Sequence, residues 1–403
     1  MCEDTVMKLF SQLLVAPAAL GLLAPFSANA SEVNISEIAT YSDIEQVEEE
    51  EIFDHKSFSN TLVINSPTKV NYSNSTSFEA GGFSDTTVAS QTASFLISAG
   101  AGESTYEDEE AVMINYYYGI SLDTSFTGED NLNVAIETGN TVSSGGVNVG
   151  QTLDFGSSGA DALSVVDVNY TRSFGDLTVQ FGDSLDASSQ FTGACAYSGF
   201  TDQLADCGTG LSAGIGGDVT LSSSYDIGNG FVAGFGLTGY EGSSTDGLFT
   251  EESMDAYAAQ LAYTDDSYGL SISYSNIDST DALVTGVAVD NTIWGFNGYY
   301  TFGGPIESLS LGYEIANPET GLDTTNWFAG LTTAEVGPGS LGLGVGTAGH
   351  TDENTDESII YEASYSWDVN DATSMTVGGY LKEQHGAGIE DLTGIALTTT
   401  FSF

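Results

Sequence analysis

Few residues of this chain could do covalent chemistry, and many could hold charge. The histidines, His55, His350 and His385, lie far apart, and no G-x-S-x-G accompanies them, so no nucleophile is paired with a base. Cys2 lies near the amino end, while Cys195 and Cys207 flank the patternless segment 196–206. Two cysteines this close in one loop of an exported protein read as a disulfide, and a zinc site would need more ligands. Asp123, Glu137, Asp167, Asp255, Glu314 and Glu362 fall within segments of alternating polarity, on the side shared with Ser, Thr, Asn and Gly. Carboxylates on the wall of a watery passage favour cations. For any one of them, a plain solvated wall residue is the bland alternative.

Charge narrows the partners. Of 403 residues, 57 are Asp or Glu and 5 are Lys or Arg, a formal net charge of −52. Nucleic acid and attraction to anionic lipid both need a basic surface and are excluded. With 20 Tyr and 21 Phe the chain is too aromatic to be disordered throughout. Screening acts over roughly 8 Å at about 0.15 M salt, so acids at a constriction set selectivity and the rest enrich cations at its mouth. The acid runs 107–110 and 352–357 lack the spacing and glycine of a calcium loop and read as solvated. No metal site, cofactor or enzymatic activity is expected.

The elements that must position these residues are strands. Residues 1–30, with Met7 as the start, read as a signal peptide: Lys8, an apolar run from Leu13 to Leu23, then Ala28-Asn29-Ala30. Residues 31–87 read as an acidic, polar periplasmic linker with one short helix near 43–53. From residue 88 to 403 alternating segments recur, at 88–100, 111–123, 131–138, 163–172, 176–183, 211–225, 230–241 and 254–264. They continue at 267–276, 287–302, 306–316, 324–332, 340–348, 357–367, 373–382 and 391–403. A period of two sends alternate side chains to opposite faces of a sheet. In the last segment Ile395, Leu397, Phe401 and Phe403 oppose Gly394, Ala396, Thr398, Thr400 and Ser402. Short Gly-, Asp-, Asn- or Pro-rich turns alternate with mostly long loops. That plan predicts an all-β fold: a transmembrane antiparallel β-barrel of about sixteen strands, with short periplasmic turns and long extracellular loops. A soluble antiparallel barrel is the alternative, and no fixed short repeat supports a β-solenoid.

A barrel of this size encloses a water-filled lumen. The loop 184–210 carries Phe191, Cys195, Tyr197, Asp202, Asp206 and Cys207. Folded inward and cross-linked it would narrow the lumen; the alternative is an outward surface loop.

Several stretches resemble cyanobacterial outer-membrane porins related to the carbohydrate-selective OprB-like group, which includes members tied to iron uptake. They are the hairpin 117–140 with Leu122-Asp123-Thr124-Ser125-Phe126-Thr127-Gly128, the leader 13–22, the segment Phe78-Glu79-Ala80-Gly81-Gly82-Phe83-Ser84, and the ending 359–403. The family's S-layer-homology module is reduced to a likeness over 32–41, so wall anchoring is not carried over. The resemblance implies passive diffusion of ions and small hydrophilic solutes across the outer membrane, a homotrimer, and recognition of Phe403 by the outer-membrane assembly machinery. Cation preference follows from the acids. The solute stays open among inorganic ions, sugars and iron species. A plugged barrel acting as a receptor or structural protein is the rival reading.

Overall fold

The computed structural model describes residues 86–403 apart from 103–111, 142–148, 157–160, 246, 249, 251–252, 281–287 and 386–389. The expected leader, linker and linker helix lie outside the described residues, as does the acid run 107–110. The strands are β1 (Thr87–Ala101), β2 (Val112–Thr124), β3 (Asp130–Gly139), β4 (Ser164–Phe174), β5 (Leu177–Asp186), β6 (Gly216–Gly228), β7 (Phe231–Gly239) and β8 (Asp255–Thr264). Then come β9 (Tyr268–Thr280), β10 (Ala288–Thr301), β11 (Ile306–Pro318), β12 (Thr324–Thr333), β13 (Gly339–Thr347), β14 (Thr351–Asp352), β15 (Ile359–Asn370), β16 (Thr373–Lys382) and β17 (Leu392–Ser402). Two-residue β14 pairs with β12, the strand β13 also pairs with, and so continues β13. The wall therefore has sixteen crossings.

Each strand pairs antiparallel with its sequence neighbour, and β1 pairs with both β2 and β17. That closes the sheet and removes its edges. The seam runs to the last residue, where Gln91 and Phe403 exchange backbone hydrogen bonds of 2.7 and 3.0 Å. Alternation sorts the faces. Phe95 is 49% exposed beside fully buried Leu96, and Leu270 is 61% exposed beside nearly covered Ser271. A closed sheet with an apolar outer surface suits lipid. Among the described residues no helix is long and apolar enough to cross a membrane.

The connections 175–176, 229–230, 265–267 and 371–372 are tight turns. Asn229 and Gly230 both take positive φ, 55° and 85°, which hairpins of this length require. Outward rings gather at this rim: Tyr263 with Tyr268 at 5.4 Å between centroids, Tyr300 with Phe302 at 4.9 Å, and Tyr365 with Trp367 at 5.6 Å. One strand starts later than its pattern suggests. The segment expected from residue 211 begins at Gly216, because Gly210–Ala213 forms a helical turn. Two of its backbone N–H groups are taken by a carboxylate of β11, described next.

Candidate functional site: two loops inside the barrel

The connection between β5 and β6 lies against the inner wall. It holds the short helices α2 (Asp202–Ala205) and α3 (Gly210–Ala213), which follow α1 (Val149–Thr152) in the β3–β4 connection. Its base closes where the Ala187 N–H donates to the Ile215 carbonyl at 2.6 Å. The segment then passes along the wall. The Thr192 N–H donates to Gln260 Oε1 of β8 at 2.9 Å, and the Ala196 N–H to Ser310 Oγ of β11 at 3.0 Å. Cys195 and Cys207 are disulfide-bonded, with Cα atoms 6.3 Å apart.

The wall beneath this segment is made small. Gly234 and Gly236 of β7, Gly312 of β11, Gly330 of β12, Gly342, Gly344 and Gly346 of β13 and Gly378 of β16 all face it. A side chain at Gly312 would strike the Cys207 carbonyl, and one at Gly236 the carbonyl of Ala187. Glycine is needed there so that backbone can lie on backbone. Phe191 packs on Gly234, while Tyr197 and Leu204 fill the space over β13.

Two wall carboxylates hold the segment down. Glu362 of β15 accepts from the Tyr197 hydroxyl at 2.7 Å, the Phe200 N–H at 2.7 Å, the Thr201 N–H at 2.8 Å and the Thr201 hydroxyl at 2.5 Å. Burial, then the charge of Glu362, pushes the Tyr197 hydroxyl far above its ordinary pKa, so it remains a donor. Glu314 of β11 accepts from Ser212 N–H at 2.6 Å and Leu211 N–H at 3.2 Å, which explains the helical turn α3. His350 Nε2 lies 2.8 Å from Glu314 Oε2, and its Nδ1 lies 3.0 Å from Thr324 Oγ1. Glu314 and Glu362 are 0% and 5% exposed. Both were expected to line water. They face inward, but the loop covers them, and they are fixings of that loop.

The other wall acids fall elsewhere. On β2–β5 the inner face is a ladder of amides and carboxylates. Asp123 accepts from Asn131 at 2.8 Å, Asn133 at 2.9 Å and Ser121 at 3.1 Å. Asn169 Nδ2 donates to Asp167 at 2.8 Å, Gln180 to Asn169 at 2.9 Å, and Gln190 of the loop to Gln180 at 2.8 Å. Glu137 accepts from the Tyr117 hydroxyl at 2.7 Å. Asp255 begins β8, opposite Gly239 and Asp278 in register and away from the ladder.

Asp202 and Asp206 are exposed on the free side of the loop. Asp154 and Asp186, absent from the sequence-based set, face them electrostatically. Although open to water, the two stand in a passage walled by protein. Lost hydration raises both pKa values first; then Asp154 raises Asp202, and Asp202, Asp186, Glu314 and Asp154 raise Asp206. Among the described residues no basic side chain pairs with Asp154, Asp202 or Asp206, and Arg172 lies 5.2 Å over the Phe174 ring. Asp154 is displayed by a turn of the β3–β4 connection, at φ 45°. Leu153 and Phe155 on either side of it pack on an apolar cluster containing Leu96, Val149, Tyr197, Leu204, Phe328 and Tyr380. Val149, Leu153 and Phe155, three large apolar residues close together in a long Gly- and Ser-rich loop, were the available sign of inward folding.

No protein family and no curated protein matches the chain in sequence. Solved structures do match its fold. An anion-selective porin from Comamonas acidovorans aligns with 79% of this chain and 99% of its own, at 16% identity and TM-score 0.55. A loop-deletion mutant of OmpT, an outer membrane protein of Vibrio cholerae, aligns with 79% of this chain and 100% of its own, at 10% identity and TM-score 0.54. A mutant porin from Rhodopseudomonas blastica aligns with 78% and 100%, at 14% identity and TM-score 0.51. The fold is that of a bacterial porin barrel.

Proposed function

We propose that this chain is an outer-membrane porin that passes ions and small hydrophilic solutes by passive diffusion, with preference for cations. The observation that carries it is the loop from 187 to 215. It lies within a closed barrel on a glycine-lined wall and presents Asp202 and Asp206, which have no basic partner among the described residues. In this reading Phe191, Tyr197 and the Cys195–Cys207 disulfide shape the constriction. Asp123, Glu137 and Asp167 are the watered wall acids, Asp255 belongs to the rim, and Glu314 and Glu362 position the loop. The Comamonas porin is described as anion-selective; the acid lip here supports the opposite preference. The channel reading involves no catalytic step.

Residues 1–30 are then the export leader and 31–87 a periplasmic linker, with the short turns facing the periplasm. Phe403 is the residue offered to the assembly machinery, and the oligomer is a homotrimer of the kind the cyanobacterial resemblance implies. The apolar cluster shared by both loops supports one rival, a barrel closed to flow that serves as receptor or structural protein. Bilayer recording of the purified mature chain under a salt gradient tests this. Steady conductance with a cation-selective reversal potential is the expected result, and pairing Cys195→Ser with Cys207→Ser should make the current larger and noisier. A folded barrel that carries no current would leave the rival.

A further inference from the structure

Between the turn at 152–156 and the inner wall of β1, β2, β3 and β17 lies a cavity of about 480 Å³. We infer that this cavity is a binding site for small organic ammonium solutes, such as short primary amines, on the path of the proposed channel. The inference rests on the porin reading for its place in transport, but not for binding itself.

The lining fixes the chemistry. On the wall side stand the hydroxyls of Ser94 and Thr400, which share a hydrogen bond of 3.0 Å, and the Glu137 carboxylate, oriented by the Tyr117 hydroxyl at 2.7 Å. On the loop side stand Asp154 and the Phe155 ring. Gly156, at φ 73°, closes onto the Tyr117 side chain; any other residue there would meet that ring. Among these groups there is no amide, guanidinium or ammonium donor. A solute must therefore bring its own donors and a positive charge to satisfy carboxylate oxygens. Aromatic faces add attraction for an ammonium group and contact for its methylenes. A hydrated metal ion would use the oxygens and gain little from the rings. An anion would meet two carboxylates.

The test uses the full mature chain, folded in detergent, titrated calorimetrically with 1,4-diaminobutane at constant ionic strength, and the same amine applied to the sodium current in bilayers. Saturable binding is expected, weakened about ten-fold in Glu137→Gln through loss of a charged contact, and weakened again in Phe155→Ala. Heat-modifiable mobility shows that each variant is folded. Equal binding in wild type and both variants would reduce the effect to attraction by the net charge and overturn the site. Loss in Glu137→Gln with none in Phe155→Ala would overturn the organic class, leaving a bare cation site. Sodium current without amine binding would sink the inference and keep the porin. Binding to a silent barrel would sink the porin and keep the site.

Discussion

The inner wall of this barrel has two halves that differ in side-chain size. On β7 to β13, and again on β16, the inward positions are largely glycine, alanine and serine, and a loop lies flat on them. On β2 to β5 many of them are asparagine, aspartate and glutamine, joined side chain to side chain into a ladder. Backbone geometry is the same in both, since alternation supplies an inward residue at every second step. Removing side chains makes a strand face a seat, and adding amides makes it a lining. The seat and the lining meet at Gln190, which leaves the loop to bond Gln180.

The seat can be broken at its fixing. Replacing Glu362 by Ala strands the Phe200 and Thr201 N–H groups and the Tyr197 hydroxyl, at roughly 1–3 kcal/mol for each donor left dry. Lifting the loop into water is the less costly outcome. Glu362→Ala should give the largest change of all: a several-fold rise in conductance and new proteolytic cleavage within 187–215, with the barrel still heat-modifiable. An unchanged conductance would mean that the glycine seat alone holds the loop. The smaller change is Gly312→Val, which sets a branched side chain against the Cys207 carbonyl. Overpacking of this kind costs about 1–3 kcal/mol. It should raise conductance less than Glu362→Ala. Asn133→Val on the ladder, by contrast, should leave the loop protected and alter only ion preference.

Much of the wall was legible in the sequence because its signal is local. The segments read as 88–100, 306–316 and 373–382 became Thr87–Ala101, Ile306–Pro318 and Thr373–Lys382. A residue's parity names its face, and that is a property of its near neighbours. What covers that face is not. Glu362 meets Thr201 across a sequence separation of 161, and Glu314 meets Ser212 across 102. Alternation alone made both look like exposed wall acids. The start of β6 was misplaced for the same reason, since apolar Leu211 fits a strand pattern until a distant carboxylate takes its N–H. The run Gly342-Leu343-Gly344-Val345-Gly346 places three inward glycines on one strand, and that was the clearest sign in the sequence of a seat.

The finest comparison sets the lip of the loop against an ordinary surface. Ordinary aspartates titrate near about 3.9. Asp202 and Asp206 are raised above that, by lost hydration first and by neighbouring carboxylates second. Their protons therefore return earlier as pH falls. If these two acids set the cation preference, the reversal potential should begin to move toward zero above the ordinary aspartate range. In Asp206→Asn the preference at neutral pH should be weaker by a modest amount. Because Asp202 raises Asp206, Asp202→Asn should in turn move the remaining titration at Asp206 to lower pH. A reversal potential that changed with pH identically in wild type and Asp206→Asn would move selectivity away from the loop and onto the ladder.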